Sequence, residues 1–213
     1  MTVDGKIQAL NNAIREAIPH MREVALENPN ATIMVRALRF STGASWHVAE
    51  PTNVHEFNWP DLEAGGITDM GEALGLLTEE LKTPPMSDRA LPPVLALISD
   101  GLPTDDFEVG LERLQSEPWG QKAVRIAISI GEDAAASDTQ EVFRRFIDNP
   151  SVPILQANNP ESLVGYIRWV STAVLKSASA PASQLADPAR PAINVPLPRP
   201  PQPVPSSTQG DVW

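Results

Sequence analysis

Two short apolar runs constrain this chain most: Val94–Ser99 and Val124–Ile130. The first is apolar up to its closing Ser99, the second is apolar except for Arg125 and Ser129, and both are too short to be ordinary helices. A run of this kind suits a strand covered on both faces, as in a parallel sheet sandwiched between helices. The segments around them carry helical periodicity. In Lys6–Glu27, Ile7, Leu10, Ile14, Ala17, Ile18, Met21 and Val24 recur at three- and four-residue steps, so an amphipathic helix is predicted, with a kink at Pro19.

The remaining elements follow from local signals. Thr32–Phe40 reads as a strand closed by Ser41-Thr42-Gly43, and Trp46–Ala49 as its hairpin partner. Val54–Asp61 is irregular. Asp69–Lys82 is a second helix, stopped by Pro84-Pro85. Phe107–Gln115 is a third, with Thr104, Asp105 and Asp106 in front of it as caps. Asp138 with Glu141 has the spacing of a capping box for a helix reaching about Ile147. Val152–Leu155 is a short strand. Asn159-Pro160-Glu161 supplies a cap, a first-turn proline and an early acid for a last helix to about Lys176. Strands alternating with helices imply an α/β fold: a Rossmann-like, open, mostly parallel sheet with helices on both faces. This domain covers residues 1–176. Residues 177–213 are rich in Pro, Ala, Ser and Gln, and read as a disordered tail of polyproline II character.

Charge and cysteine content narrow the function. Acidic residues number 27 and basic ones 16, a net charge of −11. That balance argues against binding nucleic acid, which needs clustered Lys and Arg, and suits cations or basic partners. The absence of Cys excludes disulfides and thiolate metal sites, and points to a reducing compartment. The N-terminus has no apolar signal region and no run reaches membrane-spanning length, so a cytoplasmic protein without membrane association is expected.

Chemistry concentrates in two turns, Gly65-Gly66-Ile67-Thr68-Asp69-Met70-Gly71 and Ser99-Asp100-Gly101-Leu102-Pro103-Thr104-Asp105-Asp106. Thr68 precedes a helix and Asp100 follows a strand. A hydroxyl and a carboxylate at strand ends could bind a hard cation such as Mg²⁺, which prefers oxygen ligands. The plainer alternative makes Thr68 a helix cap and Asp100 a turn former. Asp69, Asp105 and Asp106 read as caps and helix-dipole partners. His20, His47 and His55 match no zinc spacing, and no Ser-His-Asp, Walker or Gly-x-Gly-x-x-Gly pattern occurs, so no catalytic residue is assigned. Gly65-Gly66 before a helix could cradle an anion, although the metal reading also accounts for Thr68. Trp169 reads as packing. Asp211, Val212 and Trp213 place an aromatic beside the terminal carboxylate, a candidate partner-binding end, and Pro196-x-x-x-Pro200-Pro201 could dock in an aromatic groove.

With the element order, these turns resemble the von Willebrand factor type A (VWA) domain. That family's metal-ion-dependent adhesion site uses three loops: Asp-x-Ser-x-Ser after the first strand, a Thr in the second loop and an Asp after the fourth strand. Thr68 matches the second and Asp100 the third. Asn159-Pro160-Glu161-Ser162-Leu163 followed by Ile167-Arg168-Trp169-Val170-Ser171 resembles the bacterial tellurium-resistance-associated type. The first strand and Asp-x-Ser-x-Ser have no counterpart. Met1-Thr2-Val3-Asp4-Gly5-Lys6-Ile7 fits the position just after that motif, so an N-terminal truncation or a misassigned start is expected, with a central strand missing.

The resemblance implies a non-enzymatic interaction module in bacterial signalling or stress response. Mg²⁺ or Mn²⁺ would sit in the complete site, where a partner's Asp or Glu completes its shell, with weak or absent binding in this chain. A Ser/Thr phosphatase or kinase is an implied partner. Two alternatives remain: a metal-assisted phosphate- or nucleotide-handling enzyme using Asp100, or a non-functional truncated remnant.

Overall fold

The computed structural model describes residues 5–29, 31–131, 136–179 and 195–204. Helix α1 (Lys6–Glu27) carries Pro19 within it and leads to an antiparallel hairpin, β1 (Met34–Ser41) and β2 (Gly43–Asn53). Then follow α2 (Met70–Glu80), β3 (Val94–Ser99), α3 (Phe107–Ser116), a short α4 (Pro118–Lys122) and β4 (Val124–Ile130). The described chain continues with α5 (Ser137–Ile147), β5 (Leu155–Ala157), α6 (Pro160–Trp169), a π-helical turn at Val170–Val174 and α7 (Leu175–Ala178).

Strands β3, β4 and β5 form a parallel sheet in that order. All seven residues of β4 are buried, as a central strand requires. Its alternate side chains feed two cores. Ile126, Ile128 and Ile130 pack with Leu10, Ala13 and Ala17 of α1 and Leu163 and Tyr166 of α6. Ala127 faces the other way, toward Met70, Leu74, Phe107, Leu111 and Phe143 of α2, α3 and α5. The parallel sheet is thus a middle layer between helices, as the apolar runs predict.

The strand β3 departs from expectation. Predicted to be buried on both faces, it is mostly half-buried, and Ala96 is exposed. The cause is its second edge. β3 pairs only with β4 and β1 only with β2, so the strands fall into two separate sheets. Between β1 and β3 lies a slot of about 1340 Å³.

Other boundaries shift for local reasons. β5 begins at Leu155 rather than Val152, because Ser151 and Val152 are held in a turn by the side chain and carbonyl of Asn149. The capping box at Asp138 does not form. The helix starts at Ser137, so Asp138 lies inside the first turn, where its charge favours the helix dipole instead. The cap at Asn159 does form: its Oδ1 accepts a 2.8 Å hydrogen bond from Ser162 N. Of the predicted tail, residues 195–204 carry neither helix nor strand. Val195 is buried against the first core, and Val204 exchanges hydrogen bonds with Asn159 and Ser162. The candidate binding residues Asp211, Val212 and Trp213 lie outside the described residues.

Candidate functional site

The two turns singled out in the sequence meet at one rim, at the C-terminal ends of β1 and β3. Asp69 N donates to Ser41 O at 3.1 Å, which ties the second turn to the end of β1. Gly66 enables this approach. Its φ is +76°, and a Cβ there would lie 2.5 Å from Thr42 N, so no other residue fits without moving backbone.

The same turn is laced to the one after β3. Thr68 N donates to Thr104 Oγ1 at 3.0 Å, and Thr104 N donates to Thr68 O at 2.9 Å. Thr104 Oγ1 donates in turn to Asp69 Oδ1 at 2.9 Å, while Asp69 Oδ2 accepts from Gly43 N at 2.7 Å. Asp69 therefore joins three loops and makes no side-chain cap to its own helix. Asp105 supplies that cap from 34 and 33 residues away. Its two carboxylate oxygens accept from Gly71 N at 2.9 Å and Glu72 N at 2.8 Å. Two of the otherwise orphaned N–H groups of α2 are satisfied by a charged acceptor at the positive end of the helix. The expectation that Asp105 and Asp106 cap α3 with their side chains is thus corrected. Asp105 caps α2, and Asp106 sits at the N-cap of α3 without a side-chain bond.

Thr68 and Asp100 are brought together on this rim. A Cβ on Gly101, next to Asp100, would lie 4.0 Å from Thr68 Oγ1. Thr68 does not cap α2 with its side chain, and both residues are half-buried. Asp100 also faces a cation from within the chain. Lys6 Nζ, in the first turn of α1, is 3.7 Å from Asp100 Oδ2, with the two side chains 11% and 19% exposed. Lys6 Nζ also lies 2.8 Å from the position a Cβ on Gly131 would take, so the lysine crosses from α1 to the end of β4.

The donor set decides how well Mg²⁺ fits. Mg²⁺ wants six oxygens in near-octahedral array. Thr68 and Asp100 offer two side chains, and an ammonium already neutralises one of them. No group of three or more His, Cys, Asp or Glu that could hold a metal occurs among the described residues.

Sequence reasoning passed over three features of the rim. Lys6 was legible only as the start of a helix. Ile67 and Leu102 are 53% and 43% exposed, two of only six large apolar side chains so exposed among the described residues. They flank Thr68 and Asp100, and the signal was their place inside otherwise polar turns.

A VWA-like α/β fold is what this arrangement defines: helices on both faces of a parallel sheet, an antiparallel hairpin to one side and the Thr68 and Asp100 turns at one rim. Two solved structures share it. A von Willebrand factor type A protein from Catenulispora acidiphila superposes with a TM-score of 0.53 at 14% identity, covering 79% of this chain and 38% of the other. Proximal thread matrix protein 1 from the mussel byssus superposes with a TM-score of 0.55 at 14% identity, covering 78% and 42%. This chain thus spans about two-fifths of the length of each. The sequence matches no family model and no curated protein. No helix among the described residues is long and apolar enough to cross a membrane.

Proposed function

We propose that this chain is a non-enzymatic protein-interaction module that meets its partner at the Thr68–Asp100 rim. The observation that carries this reading is that exposed apolar Ile67 adjoins Thr68 in its turn and exposed apolar Leu102 follows Asp100 by two residues in the other. Apolar anchors set among polar groups are what a protein interface needs. The VWA-like fold, widely used for protein–protein interaction, supports it. Partner binding supported by Mg²⁺ or Mn²⁺ requires oxygen ligands beyond Thr68 and Asp100, from an added loop or from a partner's Asp or Glu. We assign the module to bacterial cytoplasmic signalling or stress response of the tellurium-resistance-associated kind, with a Ser/Thr phosphatase or kinase as partner.

The test is affinity capture with the wild-type chain and an Ile67→Ser, Leu102→Ser variant. Both substitutions are at exposed positions, so the fold is expected to persist. Loss of the captured protein in the variant supports the rim. Capture unchanged in the variant, or phosphoesterase turnover lost on Asp100→Ala, refutes the reading.

A further inference from the structure

A second place on the molecule holds polypeptide. Residues 195–204 carry prolines at 196, 198, 200, 201 and 203, and are held against the domain at both ends. At the first end Val195 is 8% exposed and belongs to the first core, and Leu197 packs against that core. The two share a cavity of about 430 Å³ with Val124, Ile147 and Val152.

At the other end two buried polar side chains read a peptide backbone. Ser162 Oγ accepts from Val204 N at 3.1 Å, and Asn159 Nδ2 donates to Val204 O at 3.0 Å. Asn159 and Ser162 are 7% and 3% exposed. Asn159 Oδ1 is committed to Ser162 N as the helix cap, which leaves Nδ2 for the segment. The Val204 side chain is 48% exposed, so its backbone is read and its identity is not.

The stretch between the two ends makes few demands. Of residues 196–203, Leu197 and Pro200 are half-buried and the rest are exposed. Three residues make one turn of polyproline II, so these two fall on one face of such a helix. Proline has no N–H to leave unpaired, and its fixed φ lowers the entropy lost on docking. Val152 and Asn159 bracket β5, which pairs only with β4 among the described residues. An extended chain covers about 23 Å from Val152 to Asn159, and polyproline II about 22 Å from Leu197 to Val204. The segment therefore runs beside β5 in the same direction, without slack.

We propose that the surface between Val152 and Ser162 is a groove for proline-rich peptides, with residues 195–204 as its resident ligand in cis. The ligand it takes has apolar residues at its first and third positions, prolines through its middle and a non-proline tenth residue. A peptide of that pattern on another molecule competes with the resident segment. The groove is built from residues outside the Thr68 and Asp100 turns, so this inference stands whether or not the rim binds a partner.

The test begins with amide exchange in the full wild-type chain. After correction for intrinsic rates, Val204 N–H is expected to exchange at least tenfold more slowly than that of exposed Gln202. Equal rates overturn the proposal. A labelled peptide of residues 195–204 with blocked ends is then titrated into the wild-type chain and into a Leu197→Ser, Val204→Pro variant. A tethered segment outcompetes a free one, so saturable binding is expected to be at least tenfold tighter to the variant. A peptide carrying the same two substitutions should bind neither chain. One substituted position is half-buried and the other exposed, so the fold is expected to persist, as circular dichroism checks. No saturable binding to the folded variant, or equal affinity for both chains, overturns the proposal. If the variant has lost its helical signal, excess free peptide added to the wild-type chain decides. Faster Val204 exchange with β4 still protected supports the groove, and unchanged Val204 exchange overturns it.

Discussion

Helices α2 and α3 cross with their backbones almost touching, and the crossing is made of two glycines. A Cβ on Gly110 would lie 2.5 Å from Gly71 O, and one on Gly71 would lie 2.5 Å from Asp106 O. Ordinary contact begins at 3.4 Å, so alanine at either position forces the helices apart by about 0.9 Å. The atoms in the way are backbone, so no side chain can swing aside. Overpacking of this kind costs about 1–3 kcal/mol, against which alanine returns about 1 kcal/mol of helix propensity. Gly110→Ala is therefore expected to lose up to about 2 kcal/mol in urea unfolding, and Gly71→Ala the same. Gly75 provides the control, since it lies in the same helix α2 with nothing within 4 Å of its Cβ position. Gly75→Ala should gain about 1 kcal/mol, with no crossing to disturb. The reasoning fails if Gly110→Ala and Gly71→Ala stabilise the chain as Gly75→Ala does. The crossing also sets the rim, because Asp105 spans it to cap α2.

Asp105→Ala should cost about 1–2 kcal/mol, from the loss of two charge-assisted bonds to α2, as read by thermal or urea unfolding. Arg125 is buried on β4 with Nε and Nη1 lacking a hydrogen-bond partner, and Nη2 donates to Asp148 at 3.1 Å. Burial holds its pKa below the ordinary arginine value while Asp148 pulls it back. Asp148→Asn should therefore destabilise by about 1.5–3 kcal/mol, while Arg125→Met is expected to be neutral or stabilising in the same assay. Calorimetric titration with Mg²⁺ should give weak or no binding to the wild-type chain, and stronger binding to Lys6→Gln, which removes the ammonium from Asp100. Equal affinity in both forms would remove Lys6 from the account of the site.

How much of this could be read in advance depended on the range of the interaction. The run at Val124–Ile130 announced a central strand because both of its faces meet helices. Asn159-Pro160-Glu161 announced a helix start because capping is settled within four residues. The Thr68 and Asp100 turns were legible as neighbours, since the loops at the strand ends of an α/β fold gather at one rim. Asp105 was not legible as the cap of α2, because its targets lie more than thirty residues away and its own helix was the nearer claimant. Lys6 on Asp100 joins residues at opposite ends of the first hundred, which no periodicity encodes. The half-buried state of β3 was hidden for another reason. Its sequence describes a strand with two covered faces, and in the structure only one of its edges is paired.

The central claim, that the Thr68–Asp100 rim is the recognition face, is tested most directly by photocrosslinking. A crosslinking amino acid is placed at Leu102 on the rim or at Leu26 near the end of α1, where exposure is 43% and 72%. The account predicts a discrete crosslinked protein from Leu102 in cells expressing the chain, lost on Asp100→Ala, and none from Leu26. The same adduct from both positions, or an adduct from Leu26 alone, would contradict it.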